Sequence, residues 1–268
     1  MMSFIIKNLP ILIVITPLMF SLIVAVLNNN RLAWALSTFA SFLTMIFTIL
    51  LCFEVSYKSN ISYYLGNWPP PLGIEYVIDR ISIIPIMIVS VIGLIATLFA
   101  HNFFTLEIDE KLVSKTYSLW LLTIAGLIGL ITTADAFNLF VFLEISSLSA
   151  VALVALGSKV DRKALVAGYN YLILGAVGAT FYVIGVGLLY GVTGTLNMSD
   201  LAQKIPALGL NKSVIVAFTF MMLGIMVKAA VFPLHIWLPN AYAYAPSPVS
   251  VLLAATATKV SIYIIVRI

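Results

Sequence analysis

Charged side chains are scarce in this chain of 268 residues. Asp, Glu, Lys and Arg make up 9% of it, and apolar residues make up 62%. An average soluble domain is about 25% charged and about 45–50% apolar. So few charges could not cover a water-facing surface, which excludes a soluble globular enzyme, a disordered protein and a nucleic-acid-binding module. The net charge of +4 is no evidence of a nucleic-acid partner, because membrane proteins carry excess Lys and Arg in their cytoplasmic loops.

Cysteine and histidine are also rare. The one cysteine, Cys52, cannot form an intrachain disulfide, and the two histidines, His101 and His235, lie in no cluster with metal-ligand spacing. The sequence therefore predicts no metal centre. Nothing in it indicates a nucleotide, flavin or quinone cofactor, and whether the chain serves an enzyme stays open.

Long apolar runs are what the chain has in abundance. A bilayer core about 30 Å thick needs about 20 apolar residues per helix, whereas a membrane β-barrel shows short alternating segments. The first run follows Lys7 as a signal peptide would, but it is too long and lacks a cleavage site before Asn28. We predict an all-α polytopic membrane protein, with lipid around about eight transmembrane helices at 9–27, 32–53, 81–100, 117–134, 136–157, 165–191, 213–239 and 248–268.

Two connecting segments are long enough to fold. Residues 54–80 hold two β-prone runs, 61–65 and 73–78, on either side of a proline-rich turn. This pattern predicts a short extramembrane β-hairpin. The segment 192–212 is polar and contains glycine and proline, and we predict that it is irregular.

The orientation follows from the basic residues. Lys and Arg divide equally between the two sides of an eight-helix bundle, but the turn at 159–163 carries a dense cluster of them. Basic turns favour the cytoplasmic side. We therefore predict a multi-pass protein of the cell (inner) membrane, with its N-terminus and its hairpin outside.

Glycines at one-turn spacing favour close helix packing in lipid. The chain has three such pairs: Gly126/Gly129, Gly175/Gly178 and Gly187/Gly191. They indicate a bundle and say nothing of its function.

Three ionisable residues lie deep within predicted spans: Glu144, Lys228 and Lys259. A charge at the centre of a span costs about 2.5–3.5 kcal/mol unless it is paired or hydrated, and such residues mark proton or ion pathways. Burial disfavours a charged lysine and a nearby carboxylate favours it. A lysine whose distance from Glu144 varies can therefore change its protonation. We predict a proton relay through these three residues; the alternative is a structural Glu–Lys pair that fixes two helices.

The seventh span carries a second signal. Pro233 follows Lys228 by five residues and leaves the carbonyl of Ala229 without its helical partner. A broken helix at membrane depth survives only where it lines a cavity or is covered by protein, and such helices recur beside charges in ion transporters. Four accessory candidates share a helix face with one of the three charges, and they are Ser147, His235, Thr256 and Tyr263.

Several motifs together resemble the antiporter-like membrane subunits shared by Mrp-type Na+/H+ antiporters and respiratory complex I. They are YLGNWPPPLGIE at 64–75, DAFNLFVFLE at 135–144, KAAVFPLHIWLP at 228–239, APSPVS at 245–250 and TKV at 258–260. The hairpin motif and the Asp-x-Phe-Asn-Leu run are most similar to the D-type subunit of Mrp antiporters.

The resemblance implies a fold with two inverted five-helix repeats, of which this chain matches the first half. Residues 1–116 would form an N-terminal three-helix region and 117–268 the first repeat. The family's fifth-helix glutamate, broken-helix lysine and eighth-helix lysine fall on Glu144, Lys228 and Lys259. The implied function is that of a membrane subunit in a multi-subunit Na+ or K+/proton antiporter, partnered by the other subunits.

Two alternatives stay open. One is a proton-translocating membrane subunit of an NADH:quinone oxidoreductase, a non-catalytic part of an enzyme complex. The other is a truncated or split-gene fragment whose partner would be a separately encoded second half. The second repeat has no counterpart in this sequence, so we expect the chain not to complete transport alone.

Overall fold

The structure is a computed structural model that describes residues 2–209 and 211–268. Within these ranges the chain folds into helices, joined by one two-stranded sheet. The helices are α1 Met2–Val26, α2 Asn30–Lys58, α3 Ile83–Glu107, α4 Glu110–Thr132, α5 Ala136–Ala155, α6 Lys163–Thr193, α7 Met198–Ala207, α8 Lys212–Lys228, α9 Trp237–Tyr244 and α10 Ser247–Arg267. The strands are β1 Asn60–Tyr64 and β2 Glu75–Asp79.

Seven of these helices are long and apolar enough to cross a membrane: α1 to α6 and α10. The remaining predicted span, 213–239, is two shorter helices, α8 and α9, separated by a non-helical segment. The prediction of an all-α, multi-pass membrane bundle with a small hairpin is therefore confirmed.

Polar caps fix where several helices begin. The side chain of each cap accepts a hydrogen bond from a backbone N–H in the first turn, a group that otherwise has no helical partner. These caps are Asn29 for α2, Asp135 for α5, Asn197 for α7 and Asn211 for α8.

The prediction of an irregular segment at 192–212 is wrong, because α7 forms inside it. Asn197 caps this helix, and Asp200 pairs with Lys204 one turn later at 2.9 Å. Leu201 is its one buried residue, so α7 is an amphipathic helix on the surface of the bundle. The glycines that suggest irregularity lie outside the helix, on either side of it.

The predicted hairpin is confirmed. β1 and β2 are antiparallel, with Asn60 opposite Asp79 and Tyr64 opposite Glu75. The carboxylate of Glu75 accepts a hydrogen bond of 2.9 Å from the side-chain amide of Asn197. The hairpin is thus tied to the connection between α6 and α7, at one end of the bundle.

Helix α4 forms the centre of the bundle, with 78% of its apolar stretch buried. Trp120 on α4 is fully buried and donates a hydrogen bond of 2.9 Å to Thr97 on α3. Hydroxyl pairs link α2 to α3, with Ser41 at 3.3 Å from Thr97 and Thr48 at 2.8 Å from Ser90. Such hydrogen bonds hold helices together in lipid, where apolar surfaces give no net drive for association.

Glycines bring helices into backbone contact at two of the three predicted pairs. A Cβ on Gly126 would lie 2.7 Å from the backbone nitrogen of Ser146 on α5. A Cβ on Gly178 would lie 3.0 Å from a carbonyl oxygen of α8. Gly187 and Gly191 have no described atom within 4 Å of a Cβ built there, so the packing expected of that pair is not found.

The division of the chain into 1–116 and 117–268 stays a prediction. Its boundary falls inside α4, which packs against α1, α2 and α3 and also against α5 and α10. Helix α4 therefore contributes to the core of both parts.

Candidate functional site

Lys228 is the last residue of α8 and lies inside the bundle, with 7% of its surface exposed. Its ammonium donates a hydrogen bond to the hydroxyl of Ser147 on α5. No carboxylate of the described residues lies within 4.0 Å of this ammonium. The site therefore holds a basic group at membrane depth without a salt bridge.

Gly175 on α6 makes the room for this lysine. A Cβ at Gly175 would lie 3.0 Å from the Lys228 ammonium nitrogen. One turn further, a Cβ at Gly224 of α8 would lie 2.4 Å from the carbonyl oxygen of Gly178. Helices α6 and α8 thus meet backbone to backbone, and the lysine side chain runs beside this contact.

The helix breaks directly after Lys228. Residues 229–236 are non-helical, Pro233 lies among them, and Ala230 has a φ of 53°. The indole N–H of Trp237 donates a hydrogen bond of 3.0 Å to the carbonyl of Val227. The same carbonyl accepts a bond of 3.2 Å from the backbone N–H of Ala230, so the indole is a second donor at the broken end of α8.

Trp237 is held in turn by an aromatic stack. Its ring lies against that of Tyr171 on α6, with centroids 4.2 Å apart and planes within 8° of parallel. Both side chains are buried, with 3% and 5% of their surface exposed. The start of α9 is therefore fixed to the helix that also carries Gly175.

Glu144 lies on α5, one turn before Ser147, and its side chain is half-buried. It borders an open groove of about 500 Å³ whose other lining residues, apart from Ser149, are apolar, including Phe140 and Leu148. Glu144 and Lys228 form no ion pair within 4.0 Å. Ser147, one turn after Glu144, is bonded to the Lys228 ammonium, so the carboxylate lies on the helix that contacts this lysine.

A cavity of about 20 Å³ adjoins Lys228. A cavity of about 10–15 Å³ is enough to hold one water molecule. Hydroxyls line it from three helices: Thr123 on α4, Ser146 and Ser147 on α5, and Ser261 on α10. A water there would connect the lysine of α8 to polar groups of α10.

Lys259 lies elsewhere, on an exposed part of α10. Its ammonium donates to the carbonyl of Ala254 at 2.5 Å and to the hydroxyl of Thr258 at 3.3 Å. Both partners belong to its own helix. The structure therefore does not bring Lys228 and Lys259 into direct contact.

The other accessory candidates do not gather around one charge. Thr256 donates to the carbonyl of Leu252 in its own helix at 2.6 Å, and Tyr263 donates to the carbonyl of Ile131 on α4 at 3.4 Å. Both are buried, unlike Lys259, so the three do not form one polar stripe. His235 is half-buried in the segment between α8 and α9, and its Nδ1 has no partner among the described residues. Because the helix is broken, His235 does not continue the face of Lys228.

Sequence reasoning missed several neighbours of Lys228. They are Thr123, Tyr171, Gly175 and Ser261, which come from three different helices. Only the local clustering of serines on the fifth span indicates a polar environment there. Within the described ranges, no group of three or more His, Cys, Asp or Glu residues could hold a metal ion.

The family model and the relatives that match this chain belong to the same family of membrane proteins. The family model described as "NADH:quinone oxidoreductase/Mrp antiporter, TM" matches residues 133–268. NADH-quinone oxidoreductase subunit N of Desulforudis audaxviator (strain MP104C) is 44% identical over 269 residues, which cover 97% of this chain and 52% of that protein. The D subunit of a probable K(+)/H(+) antiporter from Rhizobium meliloti (strain 1021) is 38% identical over 216 residues, which cover 77% of this chain and 37% of that protein.

A solved structure agrees with these relatives. A chain of the membrane-bound sulfane sulfur reductase, an archaeal respiratory membrane complex, has a TM-score of 0.89 and 33% sequence identity to this one. The match covers 97% of this chain and 53% of that chain, so this chain spans about half the length of such relatives. Its motifs, its helix bundle and the match over 133–268 show that it belongs to the NADH:quinone oxidoreductase/Mrp antiporter family of membrane proteins.

Proposed function

We propose that this chain is a membrane subunit of a multi-subunit monovalent cation (Na+ or K+)/proton antiporter and carries a half-channel for protons. The observation that carries the proposal is the buried Lys228 at the break between α8 and α9. A basic group kept at membrane depth without a salt bridge is costly, and such groups serve ion or proton movement by default. Membership of the antiporter family supports the same reading.

The first step concerns Glu144 and Lys228. Burial disfavours a charged lysine and a nearby carboxylate favours it. Lys228 is buried, and Glu144 lies one turn from the serine bonded to its ammonium. A small change in the distance between them therefore changes whether Lys228 holds its proton. Ser147 accepts a hydrogen bond from the ammonium and orients it.

The next step leads from Lys228 to α10. A water in the cavity beside Ser147 would take the proton and pass it toward Ser261. Lys259 lies two residues before Ser261 and ends the relay at the exposed side of α10. Thr258 lies one turn before Ser261 on α10, and its hydroxyl accepts a hydrogen bond from the Lys259 ammonium. It is the polar group that we propose between Ser261 and Lys259.

The accessory residues have smaller proposed roles. Thr256 and Tyr263 satisfy carbonyls of α10 and α4 and so shape the path rather than carry protons. His235, with its unpaired Nδ1, is the proposed proton entry at the break. We propose the cell (inner) membrane as the location, with residues 159–163 on the cytoplasmic side.

Flux measurement tests the proposal. The assembly purified through this chain is placed in proteoliposomes with a pH gradient, and proton flux is followed with added Na+, with K+ and without either. We expect cation-dependent flux that is lost in Lys259→Ala. Flux that is independent of both cations, or unchanged in Lys259→Ala, would contradict the antiporter assignment or the relay.

A second candidate is a proton-translocating membrane subunit of an NADH:quinone oxidoreductase. The relative that is 44% identical carries that name, which is the observation in its favour. Membranes that contain the chain would then acidify or alkalinise vesicles on addition of NADH, without added Na+ or K+. Co-purified proteins decide the partners, including any separately encoded second half.

A further inference from the structure

One large cavity of the described structure shares no lining residue with the small cavity beside Lys228. It has a volume of about 820 Å³ and opens between the start of α2, the end of α3, the start of α4 and the turn after α5. Polar side chains dominate its lining, among them Asn28, Arg31, Asn102, Glu110 and Lys159. The proposed proton relay uses none of them, so the cavity needs its own explanation.

Its charged groups are not neutralised by the protein. The lining contains two basic side chains, Arg31 and Lys159, against one carboxylate, Glu110. None of the three takes part in an ion pair within 4.0 Å among the described residues. The cavity therefore has an excess of positive charge that an anion would balance.

One of the cations is held in place. The ammonium of Lys159 donates a hydrogen bond of 2.9 Å to the carbonyl of Ile108, in the turn between α3 and α4. An ammonium has three donors, so two remain for a ligand. The Arg31 guanidinium has no hydrogen-bond partner in the described part of the chain, and its planar fork matches the oxygens of a phosphate.

The cavity lies at the ends of helices long enough to span a membrane, which is the expected level of a membrane interface. The ring of Trp34, one turn into α2, lies against that of His101, with centroids 4.2 Å apart and planes tilted by 33°, and tryptophans mark this level in membrane proteins. Apolar side chains are exposed beside it, with 47% of Leu32 and 71% of Leu106 accessible. A ligand with a polar head in the cavity and apolar chains along these side chains would satisfy both surfaces.

We propose that this cavity binds the phosphate headgroup of an anionic phospholipid, with Arg31 and Lys159 on the phosphate oxygens. Basic pockets between membrane helices on the cytoplasmic side are suited to such headgroups, because the lipids of that leaflet carry negative charge. The amide groups of Asn28 and Asn102 supply further donors around the glycerol part of the headgroup. Glu110 opposes the anion and limits its affinity.

Native mass spectrometry of the purified full chain tests this site. The chain in detergent is titrated with phosphatidylglycerol, with phosphatidylcholine and with inorganic phosphate. We expect one phosphatidylglycerol to stay bound under conditions that remove phosphatidylcholine and leave no phosphate bound. Equal retention of the two lipids, or phosphate bound as tightly as phosphatidylglycerol, would overturn the proposal.

Variants locate the binding. We expect Arg31→Gln to weaken phosphatidylglycerol binding about tenfold, the usual effect of losing a charge-assisted hydrogen bond. Glu110→Gln removes the opposing carboxylate and should strengthen it. Lys115→Gln is the matched control, because Lys115 is exposed on the same helix as Glu110 and does not line the cavity.

Thermal unfolding distinguishes a variant that fails to fold from one that folds but no longer binds the lipid. Lys159→Gln removes the bond to Ile108 and could disturb the turn, so Arg31→Gln is the deciding variant. Each variant is compared with wild type by its thermal unfolding in lipid-free detergent. If Arg31→Gln unfolds as wild type does and binds phosphatidylglycerol as Lys115→Gln does, the cavity is not the lipid site.

Discussion

Gly175 sets how much room the Lys228 ammonium has. A methyl group at this position would lie 3.0 Å from the ammonium nitrogen, which is too close for both to keep their places. The flexible lysine would yield by a few tenths of an ångström and move relative to the hydroxyl of Ser147. We expect Gly175→Ala to lower proton flux by no more than about tenfold, the effect of losing a hydrogen bond to a charged group altogether.

Gly187→Ala is the control for that substitution. It lies on the same helix, and no described atom is within 4 Å of a Cβ built there. Flux in proteoliposomes should therefore match wild type. If both alanine variants transport protons equally well, the close fit around Lys228 does not affect transport.

Glu75 is a buried carboxylate whose role is structural. With 6% of its surface exposed, it accepts the hydrogen bond of the Asn197 amide, and that amide is buried too. Glu75→Ala leaves a buried donor unsatisfied, which costs about 1–3 kcal/mol of unfolding free energy. Thermal unfolding in detergent should show the loss.

A matched pair of variants checks this prediction. Glu75→Gln keeps an acceptor oxygen for Asn197 and should restore most of the stability. Glu54→Ala removes a partly exposed pair with Lys58 on the surface of α2 and should cost about 0–1 kcal/mol. A Glu75→Ala protein as stable as Glu54→Ala would show that the hairpin is not held through Asn197.

The depth of Lys228 could be predicted from sequence, and its partner could not. A single lysine in a long apolar run must lie in the membrane core, whatever the neighbouring helices are. Ser147 follows Glu144 by one turn, which links it to Glu144 in the sequence. In the structure the Ser147 hydroxyl accepts from Lys228 instead. This contact joins side chains of α5 and α8 that are 81 residues apart, and local periodicity holds no information on it.

At the scale of elements, the break between α8 and α9 depends on Trp237. Its indole N–H is bonded to the carbonyl of Val227, and its ring stacks on Tyr171. Trp237→Phe keeps a ring for stacking and removes the donor. The Val227 carbonyl keeps its bond of 3.2 Å from the backbone N–H of Ala230, so Trp237→Phe removes one of two donors. Loss of one hydrogen bond costs about 0.5–1.5 kcal/mol, so the melting temperature should fall.

Trp68→Phe serves as the control for Trp237→Phe. Trp68 lies in the hairpin turn with 66% of its surface exposed, so its substitution should leave the melting temperature unchanged. Equal effects of the two substitutions would mean that the indole bond does not stabilise the broken end.

Elements with strong local signals could be predicted from the sequence. The hairpin is predictable because two β-prone runs flank a proline-rich turn. Helix α7 is not, because its two flanking glycines suggest a loop, while its own signals are an Asn197 cap and the Asp200–Lys204 pair. Both signals are short, and a ten-residue amphipathic helix depends on the bundle surface for its stability.

At the scale of the whole molecule, one ion pair joins the hairpin to the last helix. Arg267 of α10 contacts the carboxylate of Asp79, at the end of β2, at 2.5 Å. Burial raises the pKa of Asp79, but hydrogen bonds from Ser82 and Arg267 outweigh it, and the pKa lies below its usual value. The pair therefore stabilises the fold above the ordinary carboxyl pKa, and this contribution is lost as the pH falls through the lowered one.

Thermal unfolding at several pH values tests this link. We expect wild type to melt above Arg267→Gln at pH 7, and the difference to shrink as the pH falls below about 4, the ordinary carboxyl pKa, toward the lowered pKa of Asp79. A difference that stays constant down to pH 3, or grows, would contradict the role of this pair.

The central claim concerns Lys228, and proton flux measures it directly. The assembly containing this chain is reconstituted with an imposed pH gradient, as wild type, as Lys228→Ala and as Lys212→Ala. Lys212 begins the same helix and is exposed, so its variant controls for loss of a charge on α8. The account predicts that Lys228→Ala loses flux about a hundredfold or more, the scale of a proton-transfer group, while Lys212→Ala keeps it. Wild-type flux in a folded Lys228→Ala protein would contradict the account.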